Sequence, residues 1–436
     1  MSDTHAQTVA YVRETMLPEQ APPTTAAGPI KWMRENLFSS ALNTVLTLLS
    51  VYFLWVVLTL VVPWVWYGSW TASSLKECRE VVSGLGLAHG AACWSVIGER
   101  YLQLIYGFYP AELYWRANVA FILMLVALAP VLFPNLPRKI LWFSALYPFL
   151  AFWLLWGGTL WTPVVAVAGF VFAYIAFEIL NRAFGSLVGV IAAILTPVVW
   201  WLLLAGPIGN GLASVIPLAI EPVESAKFGG FMLSIIIGVT GIAMSLPLGI
   251  LLALGRQSDL MIVKAICVGF IEFIRGVPLI TLLFVASTLL NYFLPPGTTF
   301  DIILRVIIMV TLFASAYMAE VVRGGLAALP TGQYEAADAL GLDYWKATRL
   351  ITMPQALKIS IPGIVSTFIG LFKDTTLVSI IGLLDPIGLT TNIRADSNWN
   401  GIVWELYGFI ALIFFIFCFG MSRYSMYLER KLKTGH

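Results

Sequence analysis

At 436 residues, 59% of them hydrophobic and 11% charged, the chain carries less than half the charge of an ordinary soluble domain, where about a quarter of residues are Asp, Glu, Lys or Arg. This composition excludes a soluble globular domain and points to an integral membrane protein. A formal net charge of +2 supplies no global field for nucleic acid.

The first 40 residues hold no apolar run near Met1, and Pro18 to Pro23 with Thr24, Thr25 and Gly28 reads as a flexible cytoplasmic tail without a cleaved signal peptide. A bilayer core takes about 20 apolar helical residues. Ten segments meet that length, roughly 41–66, 118–134, 140–157, 163–180, 186–204, 229–255, 262–293, 303–321, 361–384 and 402–422. The fold expected is all-α and polytopic. Short linkers such as 181–185 leave the third to fifth segments open to two readings, long hairpins or one re-entrant piece. Residues 205–227, bearing Pro, Gly and Glu, read as an external linker between a five-span extension, 41–204, and a C-terminal core, 228–424, which a cytoplasmic tail at 425–436 follows.

Orientation follows the basic residues of the connections. With the N-terminus inside, sixteen Lys and Arg of the connections and tails lie on the cytoplasmic side. Six lie opposite: Lys76, Arg79, Arg100, Arg116, Lys227 and Arg394. Both termini are therefore expected in the cytoplasm. Trp64, Trp66 and Trp70 cluster where the first span should leave the membrane, as interface anchors do. The loop 67–117 is then external, and Cys78 and Cys93 in it could form a disulfide if that space is oxidising. Cys267 and Cys418 fall in apolar runs and read as small buried hydrophobes. The three histidines, His5, His89 and His436, avoid every span, so neither a histidine metal site nor a histidine catalytic site is expected.

One polar stretch, Pro330 to Pro354, interrupts the apolar segments. Thr331 is expected to cap a helix carrying Gln333 and Glu335 in its first turn, where a carboxylate suits the positive end of the helix dipole. Gly341 fits the stop, Asp343 a second cap, and Pro354 the end of a second short helix through Leu350. The product is a helix–glycine–helix elbow. Helices of about ten residues are marginal alone, so the elbow requires a surface to pack on.

Glu335-Ala336-Ala337, then Gly341, then Ile351-x-Met353-Pro354 resemble the EAA loop of ATP-binding-cassette (ABC) importer permeases, with Met353 standing for the usual leucine at similar volume. IEFIRGVPLITLLF (271–284), AEVVRGGLAALPTGQ (319–333), MPQAL (353–357) and LFKDTTLVSIIGL (371–383) extend the resemblance to the polar amino-acid permeases of histidine, glutamine and general L-amino-acid uptake. It covers residues 228–424, and the five preceding spans with their external loop resemble the longer permease subunit of general L-amino-acid transporters. The resemblance implies a five-helix type I importer core in a bacterial inner membrane and a transport subunit without cofactor or chemistry of its own. It implies as partners a cytoplasmic ABC ATPase dimer, a second permease in a heterodimer, a periplasmic amino-acid-binding protein and membrane lipid. In the elbow, Glu335 would be the charged contact to the ATPase, Ala336 and Ala337 would allow a close fit, Gly341 would set the bend and Pro354 would close the motif. No G-x-x-x-x-G-K-[ST] occurs, so ATP is expected on a separate chain. An ion-gradient-driven secondary transporter is the alternative, and it leaves the elbow unexplained.

Charges inside spans cost about 3 kcal/mol each at the bilayer centre and must find partners. Glu272 and Arg275 lie one turn apart in the seventh span, while Lys373 and Asp374 lie near the middle of the ninth, followed by Thr375 and Thr376. Two readings stand for each residue: structural pairing, Glu272 with Arg275 in particular, or lining of a path for a zwitterionic amino acid. The stripe Gly241, Ser245, Gly249 and Ala253 in the sixth span likewise reads either as packing within the chain or as a subunit interface. In that span Pro247 suggests a kink.

Overall fold

The computed structural model describes residues 28–86, 90–289 and 301–432. The expected tail up to residue 27, the end of the seventh span at 290–293 and the last four residues lie outside them. Among the described residues, nine helices are long and apolar enough to cross a membrane, or ten if one bent pair counts as a span.

The chain divides into two compact units, one made of residues up to Ser69 with Arg79–Cys93, the other of Trp70–Cys78 and everything from Trp94 onward. In the first, α1 (Pro29–Asn36) precedes α2 (Ala41–Trp66), capped by Ser40, whose hydroxyl accepts from the Asn43 amide. No residue of α2 is buried. This suits a helix that is apolar all round and that lipid can cover. Helix α3 (Leu75–Ser83) carries the boundary between the units.

The second unit opens with α4 (Ser95–Tyr106). Two helical hairpins follow, α5 (Tyr114–Leu132) with α6 (Leu141–Trp156), and α7 (Trp161–Phe184) with α8 (Ser186–Val199). Side-chain to carbonyl bonds stitch each hairpin: Tyr147 to Ala120 at 2.9 Å and Ser144 to Ala127 at 2.6 Å in the first, Trp200 to Val165 at 2.9 Å and Trp201 to Ala166 at 3.0 Å in the second. Of the two readings, hairpins are what form. The linker expected from residue 205 begins later, because a π turn at Trp200–Leu204 carries the helix into α9 (Ala205–Val215). The widened turn lets the helix run on past Pro207, which has no N–H to offer.

The core consists of α10 (Gly230–Arg256), α11 (Met261–Gly276), α12 (Leu279–Phe284), α13 (Ile302–Ala327), the elbow helices α14 (Gly332–Ala339) and α15 (Tyr344–Ala347), α16 (Met353–Asp374), α17 (Pro386–Ala395) and α18 (Trp404–Leu432). Helices α10 and α13 run side by side, and the small-residue stripe is their seam. A Cβ added at Gly249 would meet Met318 at 2.6 Å, and Ser245 and Ala253 are fully buried. The stripe therefore packs within the chain. The expected seventh span is not one helix. It bends by 101° between α11 and the helix that α12 opens. Val277 is extended ahead of Pro278, which disfavours helical backbone in the residue before it.

At the end of the core opposite the elbow, three backbone segments meet. Gly230 donates to the Leu384 carbonyl at 2.8 Å, and Phe108 donates to Lys227 at 3.1 Å. A Cβ on Gly107 would overlap the Gly229 backbone, and one on Gly230 would overlap the Leu104 carbonyl. Around this crossing Phe228 stacks on Trp156 at 4.4 Å and meets Tyr109 edge-on at 5.3 Å, while the Tyr109 hydroxyl donates to the Leu155 carbonyl at 2.7 Å. One continuous apolar cluster thus joins Tyr109, Leu113 and Leu155 of the preceding spans to Leu233, Leu283, Val306 and Val378 of the core.

Candidate functional site: an elbow and a charge network

The elbow forms for local reasons. Helix α14 ends in paired backbone bonds, Leu342 to the Ala337 carbonyl at 3.1 Å and Gly341 to Asp338 at 2.9 Å, with Gly341 at φ +68°. That closure needs a left-handed residue at the Gly341 position, which glycine supplies without a Cβ penalty. Asp343 then caps α15, its carboxylate accepting from the Lys346 amide at 2.9 Å. These bonds hold the Asp343 carboxyl below the usual carboxylate range. Thr331 occupies the cap position of α14 without a capping bond, because its backbone is already helical and points the hydroxyl away from the first amides.

Pro354 does not end the second helix as expected. A π turn at Thr348–Thr352 leads from α15 into α16, and Met353 donates to the Thr348 carbonyl across it. Pro354 sits in the first turn of α16, where a missing N–H costs least. The elbow therefore continues unbroken into a helical stretch from Tyr344 to Ile381. This shifts Lys373 and Asp374 from the middle of their span to its far end.

The elbow rests on its own chain through Ala337, 1% exposed, and through Gln333, whose side-chain oxygen accepts from Gln355 at 3.0 Å. Glu335, Ala336 and Ala339 face outward. With them stand Leu340, 74% exposed, and the edge-on aromatic pair Tyr344 and Trp345, the latter 67% exposed. Nothing in the described residues covers this face. Ala336 is thus exposed while Ala337, its neighbour in sequence, is buried.

Of the two readings for Glu272 and Arg275 of α11, pairing with each other is not what forms. Glu272 pairs with Arg256 at 2.9 Å, and Arg256 reaches Glu320 of α13 at 2.7 Å. Glu320 also holds Arg323 at 3.0 Å and Arg275 at 3.8 Å. Arg275 lies over the Tyr317 ring, 5.6 Å from its centroid. The result is a five-residue network with Glu320, 17% exposed, at its hub. Sequence reading named Glu272 and Arg275 but missed Glu320 and Arg256. The Glu320/Arg323 spacing of three was the available signal.

Lys373 and Asp374 lie outside this network. Lys373 is exposed and Asp374 half-buried, and neither makes an ion pair within 4.0 Å among the described residues. The hydroxyls of Thr375 and Thr376 turn back onto the carbonyls of Phe372 and Lys373, at 2.8 and 2.9 Å. Cys78 and Cys93 are both disulfide-bonded, and Cys267 and Cys418 carry free thiols.

Residues 245–434 match the family model of the binding-protein-dependent transport system inner membrane component. Over its whole length the chain is 58% identical to the glutamate/glutamine/aspartate/asparagine transport system permease protein of Rhodobacter capsulatus, with all of both chains covered. This chain belongs to the amino-acid permeases of ABC importers. An inner membrane amino-acid ABC transporter permease of Escherichia coli is 40% identical over 93% of each chain. A crystal structure of an amino acid ABC transporter with histidines is 28% identical over 46% of this chain and 91% of its own, at a TM-score of 0.42. The permease is a transport subunit, and the ion-gradient alternative falls away.

Proposed function

We propose that this permease imports acidic amino acids and their amides, and that it draws its work from a separate ATPase through the elbow. The substrate class is that named for the Rhodobacter capsulatus relative, to which the chain is similar from end to end. The observation that carries the coupling reading is the outward face of the elbow, one carboxylate, two alanines and three large apolar side chains held on a rigid Schellman turn. Small residues let a partner helix or groove approach the backbone, and the aromatic pair supplies apolar area to bury there. Glu335, Ala336 and Gly341 act in this contact, while Ala337 seats the elbow on its own chain and Pro354 leads it into α16.

Placing the elbow in the cytoplasm places both termini there and the loop of Cys78 and Cys93 in an oxidising periplasm, where a disulfide persists. A second, sister permease completes the membrane pore, and a periplasmic amino-acid-binding protein delivers substrate. Glu272, Arg275, Lys373, Asp374, Thr375 and Thr376 are proposed to border the path, with the Glu272 and Arg275 side chains 55% and 35% exposed despite their ion pairs.

Vesicles holding the permease with its cognate ATPase, sister permease and binding protein should take up glutamate, aspartate, glutamine and asparagine only with ATP inside the compartment facing the elbow. Glu335→Lys should abolish that uptake. Uptake driven by an imposed proton gradient without the ATPase would overturn the proposal.

A further inference from the structure

The coupling proposal gives the elbow a role and leaves the hub carboxylate without one. We infer that Glu320 is a positioning residue that ties the elbow's helix to the broken span, so that motion of the elbow reaches the bend between α11 and α12. The inference rests on the reading of the elbow as the ATPase-coupled element.

Three observations converge on it. First, Glu320 lies on α13, seven residues before that helix ends at Ala327 and leads directly into the elbow. Second, its two oxygens bind arginines from three helices: Arg256 at the end of α10, Arg275 two residues before the 101° bend, and Arg323 one turn along α13 itself. Third, the apolar contacts beneath the charges join the same elements, with fully buried Ile271 packed in one cluster with Met318 and Ala319, and Ile274 in another with Ala316.

The charge balance makes the tie depend on this one carboxylate. Three guanidinium groups face two carboxylates, and among the described residues Arg275 and Arg323 form ion pairs with no acidic side chain but Glu320. Removing that charge leaves three cations facing the one carboxylate of Glu272, and their mutual repulsion loosens the contact between the helices they sit on. Glu272 alone can hold only Arg256. The segment before the bend therefore follows α13 through the Glu320 carboxylate, and loses its charged link to it in Glu320→Gln.

The test uses the assembled transporter with one spin label at Asp338 on the elbow, exposed and outside the residues assigned to the ATPase contact, and one at Phe273 on α11, 63% exposed. In the native permease, nucleotide should move both labels. In Glu320→Gln the Asp338 label should still respond, the Phe273 label should not, and uptake per ATP hydrolysed should fall about tenfold. Glu320→Asp should recover part of both losses. Arg256→Gln, which cuts the α10 link yet leaves Glu320 paired, should reduce uptake per ATP less than Glu320→Gln, and it serves where Glu320→Gln does not assemble. A Phe273 label that still follows nucleotide in Glu320→Gln, or in Arg256→Gln a loss of uptake no different from the loss of assembled protein, overturns the inference. An Asp338 label that ignores nucleotide in the native protein overturns the elbow reading instead.

Discussion

The two ends of the permease core are held together by different physics. At the elbow end, helices α10, α11 and α13 share buried apolar contacts and also meet through side-chain charges around Glu320, while the elbow beyond them seats Ala337 and one amide pair on its own chain. At the opposite end the joints are backbone against backbone, Gly107 on Gly229 and Gly230 on Leu104, with aromatic rings filling the space around them. Charge networks can re-pair when helices shift, whereas interlocked backbones and close-packed rings have one arrangement. The charged links near the elbow can therefore re-form after a shift, and the backbone crossing at the far end cannot.

The comparison predicts that substitutions at the far end cost stability and those at the elbow cost transport. The largest effect should come from Gly230→Ala. Its new Cβ would overlap the Leu104 carbonyl at a φ of +59°, so a loss of about 3 kcal/mol or more is expected. Gel filtration in detergent should show little monodisperse protein. Trp399→Phe comes next, since Trp399 is fully buried and donates to Glu99 at 2.9 Å. Losing that bond and part of the ring should cost about 2 kcal/mol, seen as a lower Tm. Asp385 gives a pH test. Burial raises its carboxyl to about 6, against about 4 in an unfolded chain.

The folded protein then holds that proton more tightly than the unfolded chain between pH 4 and 6. Stability should fall as pH rises through that window. Asp385→Asn keeps an oxygen for the amides of Ile387 and Gly388, so the Tm of this variant should vary less with pH than that of the native protein. Smallest in stability is Gly341→Ala, whose Cβ meets no atom within 4 Å. Only the left-handed backbone penalty of about 1 kcal/mol applies, yet uptake should drop severalfold because the bend relaxes. If Gly341→Ala lowers the Tm as much as Gly230→Ala, the contrast between the ends is wrong.

Much of this was legible in the sequence because lipid enforces simple rules. The first span was read as 41–66 and forms as Ala41–Trp66, since an apolar helix between polar caps leaves little choice. Gly341 and Asp343 announced the elbow because each satisfies a local backbone requirement. What stayed hidden depends on neighbours. Pro278 breaks its helix while Pro354 and Pro207 do not, and these two follow π turns that no composition reveals. Glu272 looked like a partner for Arg275, but α10 and α13 offered it Arg256 and offered Arg275 a better carboxylate. The stripe at Gly241–Ala253 was equally suited to a partner subunit or to α13, and only the fold decides which fills it.

The glycine crossing carries a lesson for anyone who edits this protein. Because no side chain cushions the contact of residues 107, 229 and 230, an affinity tag or protease site inserted there has nowhere to go. A chain restarted at residue 228 would also shed the ring of Trp156 and the phenol of Tyr109 that cover Phe228. The segments around α5 and α6 are therefore not luggage that can be trimmed to make a minimal permease, because the core's seam closes on them.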